Sequence, residues 1–177
     1  MKKDNLLPFG RRHELESTGI TQIGRPEKVP YKGFNQSLEE ILNSRLKIEA
    51  KDDVPERVYN PADPKWGKMP ILFASVKRYL PKRPGLFLYN AIGSSLDLLH
   101  GVDLFFFWNG VYATIDLSLA DSLKELRGTV DLRQNLEDMT EEDFDVFGQQ
   151  IAGILRKRKE LKKQNKKKSK NLFIGPD

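Results

Sequence analysis

The chain contains no cysteine among its 177 residues and only two histidines, His13 and His100. Without cysteine the protein cannot form a disulfide, a thiolate metal site or a thiol nucleophile, and an intracellular setting is permitted. The histidines are not spaced as a ligand pair, and His100 is interpreted as a cap for carbonyls at a helix end. Any bound metal must therefore be held by oxygen atoms or by a histidine nitrogen.

Long apolar runs are also missing. No stretch approaches the roughly 18 residues of a membrane span, and the amino-terminal segment lacks the apolar core of a signal peptide. The chain has no glycine-rich phosphate loop, no dinucleotide fingerprint and no nucleophile elbow. These absences predict a protein that neither enters a membrane nor is secreted, located in the cytoplasm or within a virion.

Positive charge is concentrated near the carboxyl terminus. Residues 156–170 hold ten Lys or Arg and one Glu, a balance of +9, which leaves −4 for the rest of a chain whose total is +5. A flexible basic appendage on a mildly acidic body is typical of polyanion binding. The candidate nucleic-acid-binding residues here are Arg156, Lys157, Arg158, Lys159, Lys162 and Lys163. The alternative interpretation is a solubilising terminus or a ribosomal or nucleolar-type address.

The length suits one domain with terminal extensions. Residues 1–36 are rich in Gly and Pro and are interpreted as an irregular arm, residues 37–155 as the globular domain and residues 156–177 as the basic tail. The arm and the tail are compatible with a homo-oligomer or a larger assembly. A capping box at Ser37 predicts a first helix that ends near Glu49.

Three further helices are predicted. Pro70 suits the first turn of a helix that ends before Pro81. A helix over 86–99 is expected from apolar residues at helical spacing, with Gly101 as its left-handed terminator. Thr140 begins the last helix, whose apolar face is Phe144, Phe147, Ile151, Ile154 and Leu155.

The segment 101–118, GVDLFFFWNGVYATIDLS, predicts a β-hairpin. Asn109-Gly110 is a strong signal for a two-residue type I′ turn, so Trp108 should lie opposite Val111. The first strand is apolar on both faces, which is typical of a central strand covered by helices on each side. Counting outward from the turn also places Asp103 opposite Asp116.

Two facing carboxylates at the end of an apolar hairpin are destabilising unless something compensates their charge. A divalent cation is one solution, because Mg²⁺ or Mn²⁺ takes one or two carboxylates and leaves positions for water and phosphate oxygen. Asp103 and Asp116 are therefore the candidate metal ligands. In the alternative interpretation, the hairpin ends at a solvated edge where water hydrates both aspartates.

An apolar helix, a strand opening on Asp103, a tight turn and a second strand carrying Asp116 resemble the core of the PD-(D/E)XK nucleases, a superfamily with a restriction-endonuclease-like fold. The resemblance covers residues 70–127. It implies that Asp103 and Asp116 fill the two acidic positions of a catalytic site. Where the family usually has lysine, two residues after the second acid, this chain has Ser118.

Lysines in other positions occur in this superfamily, and the resemblance makes Lys124 the candidate for the catalytic role, with Arg127 beside it as a candidate contact to nucleic acid. Both are equally compatible with solvated surface charges. A chain without a replacement lysine would be weakly active or inactive.

The sequence predicts an α/β (α+β) domain with a small mixed sheet built on the hairpin over 102–118 and flanked by helices. The leading hypothesis is metal-dependent hydrolysis of nucleic-acid phosphodiester bonds, with DNA favoured over RNA. The second is an inactive nuclease-like module that binds nucleic acid or forms part of a nucleoprotein, viral or phage assembly. The third is a structural protein unrelated to nucleases.

Overall fold

The computed structural model describes residues 29–44, 58–62, 67–81, 84–117 and 129–172, and the structural statements below concern these ranges. Within them the helices are α1 (Phe34–Ser44), α2 (Met69–Arg78), α3 (Ser95–His100) and α4 (Glu141–Leu172), and the strands are β1 (Leu86–Asn90), β2 (Leu104–Trp108), β3 (Val111–Asp116) and β4 (Leu132–Arg133). None of the described helices is long and apolar enough to cross a membrane.

The four strands form one sheet in the order β1-β2-β3-β4. The first three strands are antiparallel, whereas β4 runs parallel to β3. The predicted mixed sheet with flanking helices is thus confirmed. Because β2 lies between β1 and β3, the hairpin is the centre of the sheet.

The hairpin has the predicted turn and register. Asn109 and Gly110 both have positive φ, 50° and 81°, as a type I′ turn requires. The five pairs nearest the turn, from Trp108 with Val111 to Leu104 with Ile115, are confirmed. Local turn chemistry is therefore sufficient to set the pairing of β2 and β3.

The predicted helix over 86–99 is wrong in its first half. Leu86–Asn90 is a strand paired with β2, and the helix begins only at Ser95, with Ser94 as its N-cap. A strand covered on both faces is apolar throughout and does not show the alternation that identifies a half-exposed strand. The predicted terminator is confirmed, because Gly101 has φ 68° at the end of α3.

Two further predictions about helices are changed by the structure. The first helix begins at Phe34, and Ser37 is a buried residue within it whose N–H donates to the Gly33 carbonyl oxygen at 3.0 Å. The predicted end near Glu49 lies outside the described residues. His100 contacts the carbonyl oxygen of Lys32 at 3.0 Å, so it joins α3 to the residues before α1 and does not cap α3 itself.

Helices cover both faces of the sheet. Phe105 and Phe106, consecutive residues on β2, point to opposite faces and are both fully buried. Phe106 belongs to the larger cluster, formed with α2 and α4, and Phe105 to the smaller one, formed with α1 and α3. The prediction that β2 is central and covered on both sides is confirmed.

Helix α4 continues without a break through the basic segment. It begins after Thr140, whose hydroxyl accepts the Asp143 N–H at 3.2 Å, and it runs for 32 residues to Leu172. At 1.5 Å per residue it is about 48 Å long. Residues 156–172, which the sequence analysis interpreted as a flexible tail, are thus an extension of a core helix.

Helices α2 and α4 approach closely at Gly148. A Cβ atom at this position would lie 2.6 Å from the Ser75 Cβ and 2.7 Å from the Ser75 carbonyl carbon. At the end of α2, Arg78 and the next residue, Tyr79, both bond to the Asp145 carboxylate on α4, and the hydrogen bond to Asp145 raises the pKa of the Tyr79 phenol. The missing side chain at Gly148 therefore sets how closely the two helices pack.

We predict that Gly148→Ala lowers the free energy of unfolding by about 1 to 3 kcal/mol, the usual cost of overpacking. Gly153→Ala is the matched control, because it lies on the same helix and an added Cβ there meets nothing within 4 Å. That substitution should raise stability by about 0.5 to 1 kcal/mol through helix propensity. Chemical denaturation of both variants measures the difference, and equal effects would contradict the close approach.

Candidate functional site

Asp103 marks the point where β2 leaves the regular ladder. Its carbonyl oxygen accepts the Ala91 N–H at 2.7 Å on one side, and its own N–H donates to the Ile115 carbonyl oxygen at 2.9 Å on the other. In a regular strand both groups of one residue point to the same neighbouring strand. The predicted sixth pair, Asp103 with Asp116, is consequently not part of the ladder, which ends at Leu104 and Ile115.

The Asp103 side chain is turned into the protein. It is 3 % exposed, and its Oδ2 accepts the backbone N–H of Leu117 at 2.6 Å. A hydrogen bond to an ionised carboxylate is stronger than one between neutral groups. Asp103 therefore provides a hydrogen-bond acceptor for the backbone N–H of Leu117, just beyond the end of β3.

Asp116 has a different partner. Its Oδ2 accepts the Arg133 Nε–H at 2.8 Å, and both side chains are 21 % exposed. The two residues are also paired in the parallel β3–β4 ladder, and the Gln134 N–H donates to the Asp116 carbonyl oxygen at 3.0 Å. Asp116 thus anchors the short edge strand β4.

These contacts bear on the predicted metal site. The Asp116 carboxylate is paired with the Arg133 guanidinium, and one oxygen of Asp103 accepts a backbone N–H, so these oxygens would have to leave their protein partners before they could share Mg²⁺ or Mn²⁺. Within the described ranges, no group of three or more His, Cys, Asp or Glu side chains could hold a metal ion. Lys124 and Arg127 lie outside the described residues.

A second polar cluster, which the sequence analysis did not identify, joins β3 to α4 through Asp131. The Asp131 carboxylate accepts two hydrogen bonds from the Arg158 guanidinium, at 2.6 and 2.8 Å, and one from the Thr114 N–H at 2.9 Å. The Thr114 hydroxyl donates to the Thr129 carbonyl oxygen at 2.8 Å and accepts the Asp131 N–H at 3.0 Å. Only the buried polar Thr114 within an apolar strand signals this cluster in the sequence.

Three predicted nucleic-acid-binding residues contact the hairpin. Arg158 also donates to the Tyr112 carbonyl oxygen at 2.6 Å, and its Cζ lies 5.0 Å from the centre of the Tyr112 ring. The Lys159 ammonium lies 3.8 Å from the centre of a Trp108 ring, and the Lys162 ammonium donates to the Gly110 carbonyl oxygen at 2.9 Å. The structure therefore uses part of the basic segment to fasten α4 across the hairpin.

The other predicted basic residues, Arg156, Lys157 and Lys163, are exposed. Lys163 forms an ion pair with Glu160 at 2.6 Å, one helical turn away. The hydrogen bond from Lys163 lowers the pKa of Glu160, so this carboxylate is ionised at neutral pH. Beyond this pair, Lys166, Lys167 and Lys168 continue the exposed positive charge along α4.

A cleft of about 1030 Å³ lies at the β1 edge of the sheet, beside α2. Its walls include Tyr59, Phe73 and Trp108. None of its described lining residues is among the predicted site residues, although the ring of Trp108 in its wall contacts Lys159 on α4.

Comparison with known proteins gives no further assignment: no protein-family model, no curated protein and no solved structure matches this chain.

We predict that Asp131→Asn lowers the free energy of unfolding by about 2 kcal/mol, because it weakens the charge-assisted bonds that Arg158 makes at a half-buried position. The control is Glu160→Gln, which removes an exposed ion pair on the same helix and should leave stability unchanged. Urea denaturation at neutral pH compares the two variants. A loss of stability in the control equal to that of Asp131→Asn would contradict the anchoring role of the Asp131 pair.

Proposed function

We propose that the protein binds nucleic acid through the exposed cations of α4 beyond Leu155. The observation that carries this proposal is the continuity of α4, which is buried against α2 and the sheet in its first half and exposed and basic in its second. The contacts of Arg158, Lys159 and Lys162 with the hairpin support it, because they fix the direction of the basic half.

Three of the exposed cations of α4 lie along one side of the helix. Arg156, Lys163 and Lys167 are spaced by seven and four residues, and at 100° per residue they share a face of the helix over about 16 Å of its length. Such a row matches the repeated negative charge of a phosphate backbone. Because the helix is already ordered, binding costs less conformational entropy than it would for an unstructured basic tail.

We predict that the triple variant Arg156→Gln, Lys163→Gln, Lys167→Gln binds duplex DNA more weakly and with a salt dependence reduced by up to about 3 in the slope of log K against log salt concentration. Lys77→Gln, which removes an exposed lysine on α2, is the charge control and should change neither quantity. Glu160→Gln should strengthen binding, because it removes the carboxylate that pairs with Lys163. Fluorescence anisotropy over a series of salt concentrations measures all four proteins.

The triple variant removes three positive charges and Lys77→Gln removes one. If both lost the same binding free energy per charge removed, net charge alone would govern association, and the proposal would be overturned. Unchanged affinity of Glu160→Gln would also overturn the proposal, because release of Lys163 from its ion pair would then not affect binding. Circular dichroism of each variant checks that α4 remains helical.

A metal-dependent nuclease that uses Asp103 and Asp116 is the second proposal, and it rests on the position of a buried and a partly exposed aspartate near the ends of neighbouring strands. The protein partners of both carboxylates favour the binding module over this enzyme. Labelled DNA and RNA, incubated with Mg²⁺, Mn²⁺ or EDTA, distinguish the two. A nuclease should lose metal-dependent cleavage on Asp116→Asn. If the protein is a binding module, neither the unaltered protein nor Asp116→Asn should cleave DNA or RNA, and both should bind nucleic acid equally.

A further inference from the structure

The cleft at the β1 edge of the sheet has the size of a small-molecule site. Its volume is about 1030 Å³, and its lining includes Leu86 and Phe87 on β1 and Ala74 and Lys77 on α2. Protein pockets that hold small organic ligands are commonly about 300 to 1000 Å³. The cleft is therefore large enough to take most of such a ligand out of water.

The floor of the cleft is apolar. Tyr59, Phe73, Leu80 and Trp108 line it, belong to the larger core cluster and are each at most 9 % exposed. Their rings are not free faces for stacking, because the centres of the Tyr59 and Phe73 rings lie 5.2 Å apart and Lys159 lies against a Trp108 ring. The floor instead offers a packed apolar surface for the body of a ligand, as small-molecule sites commonly do.

The charge of the cleft favours an anion. Among the described lining residues the charged ones are Lys77 and Arg78, and no carboxylate is present. Arg78 pairs with the Asp145 carboxylate on α4, so its charge is already balanced. Lys77 is exposed and forms no ion pair within the described ranges. One positive charge in the cleft therefore remains for a ligand.

Trp108 brings an unpartnered hydrogen-bond donor to the same cleft. Its Nε1–H is buried and has no acceptor in the part of the chain that the structure describes. A buried donor without a partner is destabilising and rare in folded proteins. A hydrogen bond from this N–H to an oxygen of a bound molecule would remove that cost.

We propose that the cleft binds a small apolar monocarboxylate, whose apolar body packs on the floor and whose carboxylate pairs with Lys77. The single uncompensated cation selects a ligand with one negative charge, and the apolar floor selects against a small hydrophilic anion. The inference goes beyond the proposed function and does not depend on it, because that function concerns a polyanion bound by α4.

The test compares phenylbutyrate with phenylbutanol, which share an apolar body and differ in charge. Titrations follow the fluorescence of Trp108 in a Trp66→Phe protein, where it is the only tryptophan, and calorimetry of the unaltered chain checks the affinities. Phenylbutyrate should bind about threefold to fivefold more tightly, as expected for one ion pair at an exposed lysine. Lys77→Gln should remove this advantage and leave the affinity for phenylbutanol unchanged.

A second pair of variants tests whether the cleft is the site. Ala74→Phe places a ring in the lining and should weaken binding of both compounds about tenfold, because the ring occupies their space. Ile71→Phe is the control, since Ile71 is exposed on the same helix and is not among the lining residues, and it should leave both affinities unchanged. The triple variant of Arg156, Lys163 and Lys167 should also bind phenylbutyrate normally. Circular dichroism checks that each variant is folded.

Failure of both compounds to bind at millimolar concentrations, or binding that Ala74→Phe leaves unchanged, would overturn the inference. Equal affinity for the two compounds, with no effect of Lys77→Gln, would also overturn it, because charge would then not select the ligand. If sedimentation shows a dimer that Ala74→Phe dissociates, a second copy of the chain occupies the cleft, and the inference is again overturned. DNA binding by α4 is measured separately, so none of these results decides the proposed function.

Discussion

The burial of one apolar stripe on α4 determines where the positive charge of this protein lies. Phe144, Phe147, Ile151 and Leu155 are buried against α2 and the sheet, and each fully buried side chain of this size contributes about 1.5 to 3 kcal/mol. The stripe fixes both the position and the rotation of the helix. Since the helix continues without interruption, the same contacts determine which lysines beyond Leu155 face solvent and which return to the hairpin.

The polar cluster around Asp131 secures this arrangement at the point where the apolar stripe ends. Asp131 joins the residues before β4 to Thr114 on β3 and to Arg158 on α4. A bidentate pair restricts orientation as well as distance, because the guanidinium and carboxylate planes must align. The cluster thus connects the sheet to the basic half of α4, together with the contact between Lys159 and the Trp108 ring.

Sequence reasoning was most successful where the determinants are local. The turn at Asn109-Gly110 requires positive φ at two adjacent residues, and this requirement alone sets five pairs of the hairpin. It failed over Leu86–Asn90 because a strand covered on both faces and a buried helix have the same apolar composition. It also placed Asp103 opposite Asp116, because nothing in the sequence reveals that the Asp103 N–H turns toward Ile115.

The contacts that bear most on function join residues far apart in the chain. Asp131 and Arg158 are 27 residues apart, and Asp116 and Arg133 are 17 apart, so neither pair is visible in a local pattern. Charge alone identified the basic segment in the sequence, and its binding to a polyanion stays a prediction. Which of those cations anchor the helix and which face solvent depends on the helical phase set by the core.

An unbroken helix also makes the angular position of each cation depend on the number of residues before it. One residue inserted after Leu155 would rotate everything downstream by about 100° and advance it by about 1.5 Å, with composition and net charge almost unchanged. Lys162 would then leave the hairpin turn and Arg158 would lose Asp131. The basic half of α4 is therefore defined by its angular phase relative to the sheet as well as by its charge.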